Sequence, residues 1–169
     1  MSAITSSFGK AIIQGWEDYH TQLVAVVRSL TPEQLAIRVG PDLRSVNEII
    51  AHVIAGRAAW FSGVLKEGDE EIAAMREWDD PGQPERTTAD YIHGFEATWS
   101  MMWEAMQRWS DEQLAEEIVL PWIGPAHPIT RSFVVWHIIE HDLHHGGEIS
   151  HSLGMQGLTI ELPPGPPKD

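Results

Sequence analysis

Cysteine is absent from this 169-residue chain. The protein therefore supplies no disulfide, no thiolate metal ligand and no cysteine nucleophile of its own. Basic residues are scarce: 11 Lys and Arg stand against 25 Asp and Glu, a formal net charge of −14. A chain this acidic is repelled by phosphate backbones and anionic lipid surfaces, and no Lys/Arg cluster offers a local exception. Neither nucleic acid nor a membrane is an expected partner. Long apolar runs are missing too, so no segment reads as a membrane span. The N-terminal stretch MSAITSSFGKAIIQGWEDYH has no basic segment leading into an apolar run, and the expected location is cytoplasmic. Strand signals are few. Only IVLPWIG, 118–124, alternates in hydrophobicity, and its proline and glycine read as a loop.

What is present is an ordinary share of hydrophobic residues, 43%, and eight tryptophans, an aromatic load that belongs in a core or a ligand cleft. The length suits one domain with a real core, 1–160, followed by a proline-rich tail, LPPGPPKD. Apolar residues recur at helical spacing in four places. Ile12, Trp16, Tyr19, Leu23, Val26, Val27 and Leu30 mark a first helix from about residue 4 to 29. The second opens at Ser45-Val-Asn-Glu48, a capping-box sequence, and continues through Ile49, Ile50, Val53, Ile54, Trp60 and Phe61. A third follows Thr87 and Thr88 with Tyr91, Ile92, Phe95, Trp99, Met102, Trp103 and Met106. The fourth runs from near Thr130 to about Leu153, where Gly154 can end it. The predicted class is all-α.

A long acidic crossover, KEGDEEIAAMREWDDPGQPERT, separates the second and third helices, and its middle, Asp69 to Trp78, can form a short extra helix. A faint repeat is also visible. LTPEQL (30–35) closes the first helix and WSDEQL (109–114) closes the third, while His52 follows Ser45 by seven residues as His137 follows Thr130. The first two helices thus mirror the last two.

Histidines concentrate in WHIIEHDLHHGGEIS, 136–150, which holds His137, His141, His144 and His145. Each helical residue advances ~100°, so with His137 at zero His144 lies at about −20°, His141 at about 40° and His145 at about 80°. His141 and His145 sit at the edge of the apolar arc; His144, with Glu140 and His151, faces a more polar side. Two histidines four apart project from adjacent turns and can grip one ion. They can equally be two independent imidazoles. His52 offers a third ring, flanked by Ala55, Gly56 and Ala59, small residues that allow another helix to come close. Three imidazoles without cysteine suit Zn²⁺, Ni²⁺ or another borderline transition metal. His137, one turn before His141, reads as a donor behind the site, a fourth ligand, or a residue packed on Trp136 or Phe133. His20 and His93 are expected within helices and partly exposed, and His127 in a loop.

Together, SVNEIIAHVIAGRAAWF and the later VVWHIIEHDLHHGGEI resemble the DinB/YfiT-like superfamily, whose pattern is a histidine in the second helix and H-x-x-x-H-x-G-Q-[IL] in the fourth. The likeness covers nearly the whole chain. It implies a four-helix bundle of up-down-down-up topology, the long crossover lying between helices two and three. It also implies a divalent metal held by His52, His141 and His145. Two positions depart from the pattern: Gly146 stands where many relatives have arginine, and Glu148 where the glutamine is usual. Glu148 falls at about 20° on the same wheel, where a carboxylate can orient a ligand imidazole.

Three protein ligands leave a position open for water or substrate. Characterised relatives include transferases and isomerases that use bacterial low-molecular-weight thiols, so the resemblance implies a metal-dependent transferase or hydrolase that activates a thiol or water against a small electrophile. Trp60, Trp99 and Trp103 are candidates for its pocket wall. The alternative is a non-catalytic metal- or ligand-binding stress-response protein, with a homodimer as the expected assembly.

Overall fold

Helix starts in this chain are written in short polar side chains. In the structure, a computed structural model that describes residues 6–160 and 162, Ser6 accepts from the Gly9 amide at 3.0 Å and opens α1 (Ser7–Ser29). Glu48 reaches back to the Ser45 amide at 2.7 Å and opens α3 (Val46–Ala58). Thr87 and Asp90 exchange bonds of 3.2 and 2.7 Å at the start of α5 (Thr88–Arg108). Thr130 accepts from Phe133 at 3.1 Å at the start of α7 (Arg131–Gly154). Each bond satisfies an amide that the first helical turn leaves without a partner.

The two halves of the repeat take the same local form. Thr31 and Gln34 close a reciprocal box, at 3.3 and 2.9 Å, around the four-residue α2 (Pro32–Leu35). Ser110 and Gln113 close the matching one, also at 3.3 and 2.9 Å, around α6 (Asp111–Leu114).

Between α3 and α5 the chain first widens into a π-helical turn, Ala59–Val64. Lys66, at φ 63°, and Gly68, at φ 85°, then end the helix in left-handed backbone, and a short α4 (Glu70–Met75) follows. The rest of the crossover is pinned by Trp78. Its ring lies on Gly94 of α5, so close that a Cβ there would come within 2.7 Å of it. The Arg86 guanidinium covers the ring at 4.3 Å. Position 79 is therefore delivered to a fixed place.

The loop expected at 118–124 runs between the members of a short strand pair. β1 (Glu117–Ile118) pairs antiparallel with β2 (Ile129–Thr130), aligning Glu117 with Thr130 and Ile118 with Ile129. The described residues are otherwise helices joined by turns and loops, and no helix among them is long and apolar enough to cross a membrane. α3 packs against both α5 and α7, and α1 against α5. Leu23, Ile50, Ile54, Phe95, Met102, Ile138 and Ile149 fill the space between them. The tail beyond Leu162 lies outside the described residues.

Candidate metal centre

The seam between α3 and α7 carries the histidines. His52 projects from α3; His141 and His145 project from successive turns of α7 and face it. One ligand nitrogen from each ring lies within 4.8 Å of the others. His52 Nε2 and His141 Nε2 are 3.2 Å apart. With Zn–N bonds of about 2.0–2.1 Å, the edge of a tetrahedron is roughly 3.3 Å, so this pair already has the spacing of two ligands on one ion.

Carboxylates hold two of the three rings by their outer nitrogens. His52 Nδ1 bonds Asp79 Oδ2 at 2.6 Å, and His145 Nδ1 bonds Glu148 Oε2 at 2.7 Å. A carboxylate accepts, so each Nδ1 carries the proton and each Nε2 presents its lone pair to the centre. His141 is held differently. Its Nδ1 is buried without a hydrogen-bond partner, and the ring lies against Gly56, where an added Cβ would come 2.7 Å from Cε1 and 3.1 Å from Nε2. The glycine allows the helices to approach until that ring meets His52.

The environment favours the neutral form of the two α7 rings. Burial pushes His141 down to about 3, helped by the neighbouring histidines and Arg57. His145 is also lowered, first by burial, with the Glu148 bond acting in the opposite direction. Neutral imidazole is the form that binds metal.

Other expected site residues are placed as follows. His137 bonds Glu140 at 3.0 Å, with its ring 4.7 Å from Trp60 and parallel to Phe133 at 6.0 Å. It borders the triad, 6.2 Å from His141 between ring centres, but lies outside the convergent group. Trp60 thus flanks the site through His137. Trp99 instead stacks on His20 at 4.7 Å, and Trp103 stacks on Trp99 at 6.2 Å. His20, expected to be partly exposed, is buried. The exposed His144 lies 3.4 Å from the second oxygen of Glu148.

Three residues close to the centre escaped the sequence reading. Asp79 is lost among the acids of the crossover. Arg57 and Asp142 form a wholly buried ion pair, Nη2 to Oδ2 at 2.6 Å. Their signal was position: Arg57 continues the apolar stripe of Ile50, Val53 and Ile54, and Asp142 that of Ile138 and Ile149. Gly146 also has a local cause. A side chain there would overlap the Tyr19 hydroxyl, which donates to the Asp142 carbonyl at 3.3 Å.

Two cavities adjoin the carboxylates. One, of about 700 Å³, is bounded by Asp79, Trp78, Arg86, Arg44 and Tyr91. The other, of about 510 Å³, lies beside Glu148, His151, Arg44 and Ile49.

A mostly helical protein whose packed helices bring three imidazoles and two orienting carboxylates together belongs to the class that can hold a metal ion in a seam between helices. The chain is a member of the DinB family, whose family model matches residues 1–162. Its fold is similar to the crystal structure of a DinB-like protein from Bacillus cereus ATCC 10987, at 21% identity and a TM-score of 0.71, covering 93% of this chain and 96% of that one. A DinB-like protein from Bacillus subtilis is similar at 19% identity and a TM-score of 0.64, with 90% and 96% covered. A conserved protein from Enterococcus faecalis gives 13% identity, a TM-score of 0.66, and 90% and 95%. Among curated proteins nothing matches the chain.

Proposed function

We propose that the protein is a metal-dependent transferase or hydrolase that activates a low-molecular-weight thiol or water against a small electrophile. His52, His141 and His145 would hold a divalent transition ion, zinc or nickel, within a single domain of up-down-down-up helices. The observation that carries the reading is the donor set: three convergent imidazoles, two of them aimed inward by carboxylates. Structural zinc is usually closed by four protein ligands, whereas three leave room for a reactant. The chemistry such an ion supplies when bound is acidification of a thiol or water. Asp79 and Glu148 keep the protons on the outer nitrogens, so the inner lone pairs stay available. The cavity beside Asp79 is large enough for a small organic molecule. The charge and hydropathy of the chain favour a cytoplasmic setting.

The test is thiol consumption against a panel of small electrophiles by chelated, zinc-reloaded and His52→Ala protein. Turnover restored only by reloading the parent supports the reading; equal rates in all three sink it.

A second reading is a non-catalytic metal- or ligand-binding stress-response dimer, and in a third the ion only clamps α3 to α7. The exposed Phe133, Trp136 and Leu143 of α7 favour a homodimer contact. A clamp predicts a large fall in melting temperature on chelation and no turnover.

A further inference from the structure

Beside the triad, on the same two helices, lies a charged cluster that metal ligation does not require. Arg57 and Asp142 are both fully buried. Arg57 Nε donates to Oδ1 and Oδ2 of Asp142 at 3.1 and 3.2 Å, and Nη2 donates to Oδ2 at 2.6 Å. Trp16 Nε1 donates to the same Oδ2 at 2.8 Å. Arg57 Nη1 lies 3.3 Å from His20 Nδ1. A guanidinium only donates, so that nitrogen accepts and the His20 ring is neutral. The Phe95 ring sits 5.1 Å from the guanidinium carbon. Three helices, α1, α3 and α7, therefore meet at one ion pair.

Net stability is a weak reason for such a pair. Desolvation of two charges offsets much of their attraction, and well-packed apolar residues often replace buried pairs without loss. Direction is what the pair adds. A planar fork on a carboxylate accepts a narrow range of alignments, while the aliphatic residues buried on the same helices, Ile50, Ile54, Ile138 and Ile149, can slide by fractions of an ångström. Its place is telling. Arg57 directly follows Gly56, and Asp142 directly follows His141, the two residues whose close contact brings α7 up to His52. One residue of slip along a helix is about 1.5 Å, and a metal site tolerates ligand errors of only about 0.2 Å.

We propose that Arg57 and Asp142 are positioning residues for the metal centre: their pairing sets the register of α7 on α3, and thereby the spacing of His52 from His141 and His145. This rests on the triad being a metal centre.

The experiment is a zinc titration of the metal-free full chain by calorimetry, with melting temperature recorded for each protein. It compares the parent, Arg57→Met with Asp142→Leu, Arg57→Lys, and Leu23→Ala. The double variant removes the charges while keeping bulk. Arg57→Lys keeps the charge and loses the fork, and it decides alone if the double variant does not melt cooperatively. Leu23, buried on α1, controls for loss of stability by itself. The expected result is zinc affinity at least tenfold weaker in the double variant and several-fold weaker in Arg57→Lys, with Leu23→Ala melting lower but binding like the parent. Affinities within twofold of the parent in both pair variants would overturn the positioning role, as would an equal loss in Leu23→Ala. A parent that binds no zinc would instead overturn the metal centre itself, and this role with it.

Discussion

Two polar clusters lie side by side along the α3–α7 seam, and they are finished differently. In the Arg57–Asp142 cluster the charges meet each other, and Trp16 and His20 take further positions around them. In the histidine cluster the outer nitrogens of His52 and His145 are bonded to carboxylates, the inner nitrogens of His52 and His141 meet at 3.2 Å, and the outer nitrogen of His141 is left without a partner. The first is complete as protein. The second converges three ligand nitrogens on a point where an ion could sit. Burial alone does not distinguish a structural polar cluster from a binding one; the convergence of several ligand atoms on one point does.

The largest expected effect falls on the complete cluster. Asp142→Ala leaves Arg57 buried and uncompensated, a loss of about 3–5 kcal/mol in urea-induced unfolding of the metal-free protein. His145→Ala in the same assay should cost far less, because no buried charge loses its partner. Comparable losses would erase the distinction.

Asp79→Asn addresses the other cluster. It keeps the shape at His52 but weakens the acceptor behind it, and zinc affinity should fall about 10–100-fold, while metal-free unfolding stays near the parent's. A smaller change in affinity would mean that His52 is oriented by packing.

Acid should loosen both clusters. His20 and His141 are each held down to about 3 by burial, against an ordinary value of 6.5. Between these limits the unfolded chain takes up protons that the folded one refuses, so stability must fall as pH falls below about 6.5. Their contribution is complete above that point and lost progressively toward pH 3. Melting temperatures of metal-free protein from pH 7 to 4.5 should therefore decline, before most carboxylates titrate. A flat profile would contradict the neutral, buried state of both rings.

The smallest effect belongs to Glu148→Gln, which installs the residue usual in the family pattern. An amide oxygen can still accept from His145 Nδ1, and the Glu148 side chain is 43% exposed. Zinc affinity should change by less than about tenfold, below the change at Asp79.

Much of this is legible in the sequence. Ser45, Thr87 and Thr130 announced the long helices because capping is a local interaction written within four residues. The LTPEQL and WSDEQL echoes became the matched boxes of α2 and α6 for the same reason. Gly56 was legible as a place for close approach, since only its missing side chain was needed to see it. What escaped depended on distant partners. Asp79 reaches His52 only because Trp78 is anchored on Gly94, a contact no local pattern records. Arg57 and Asp142 each lie on an apolar stripe, but their pairing joins residues 85 apart in the chain. The pairing of Glu117 with Thr130 spans only two residues per strand, too few for alternation to show.

The central claim is that the triad holds one divalent ion, and metal content tests it most directly. The measurement is elemental analysis of tag-free protein prepared without a nickel column and reconstituted with zinc, beside His145→Ala treated alike. Near one equivalent in the parent and little in the variant is the predicted result. No metal in either, or equal metal in both, would contradict it.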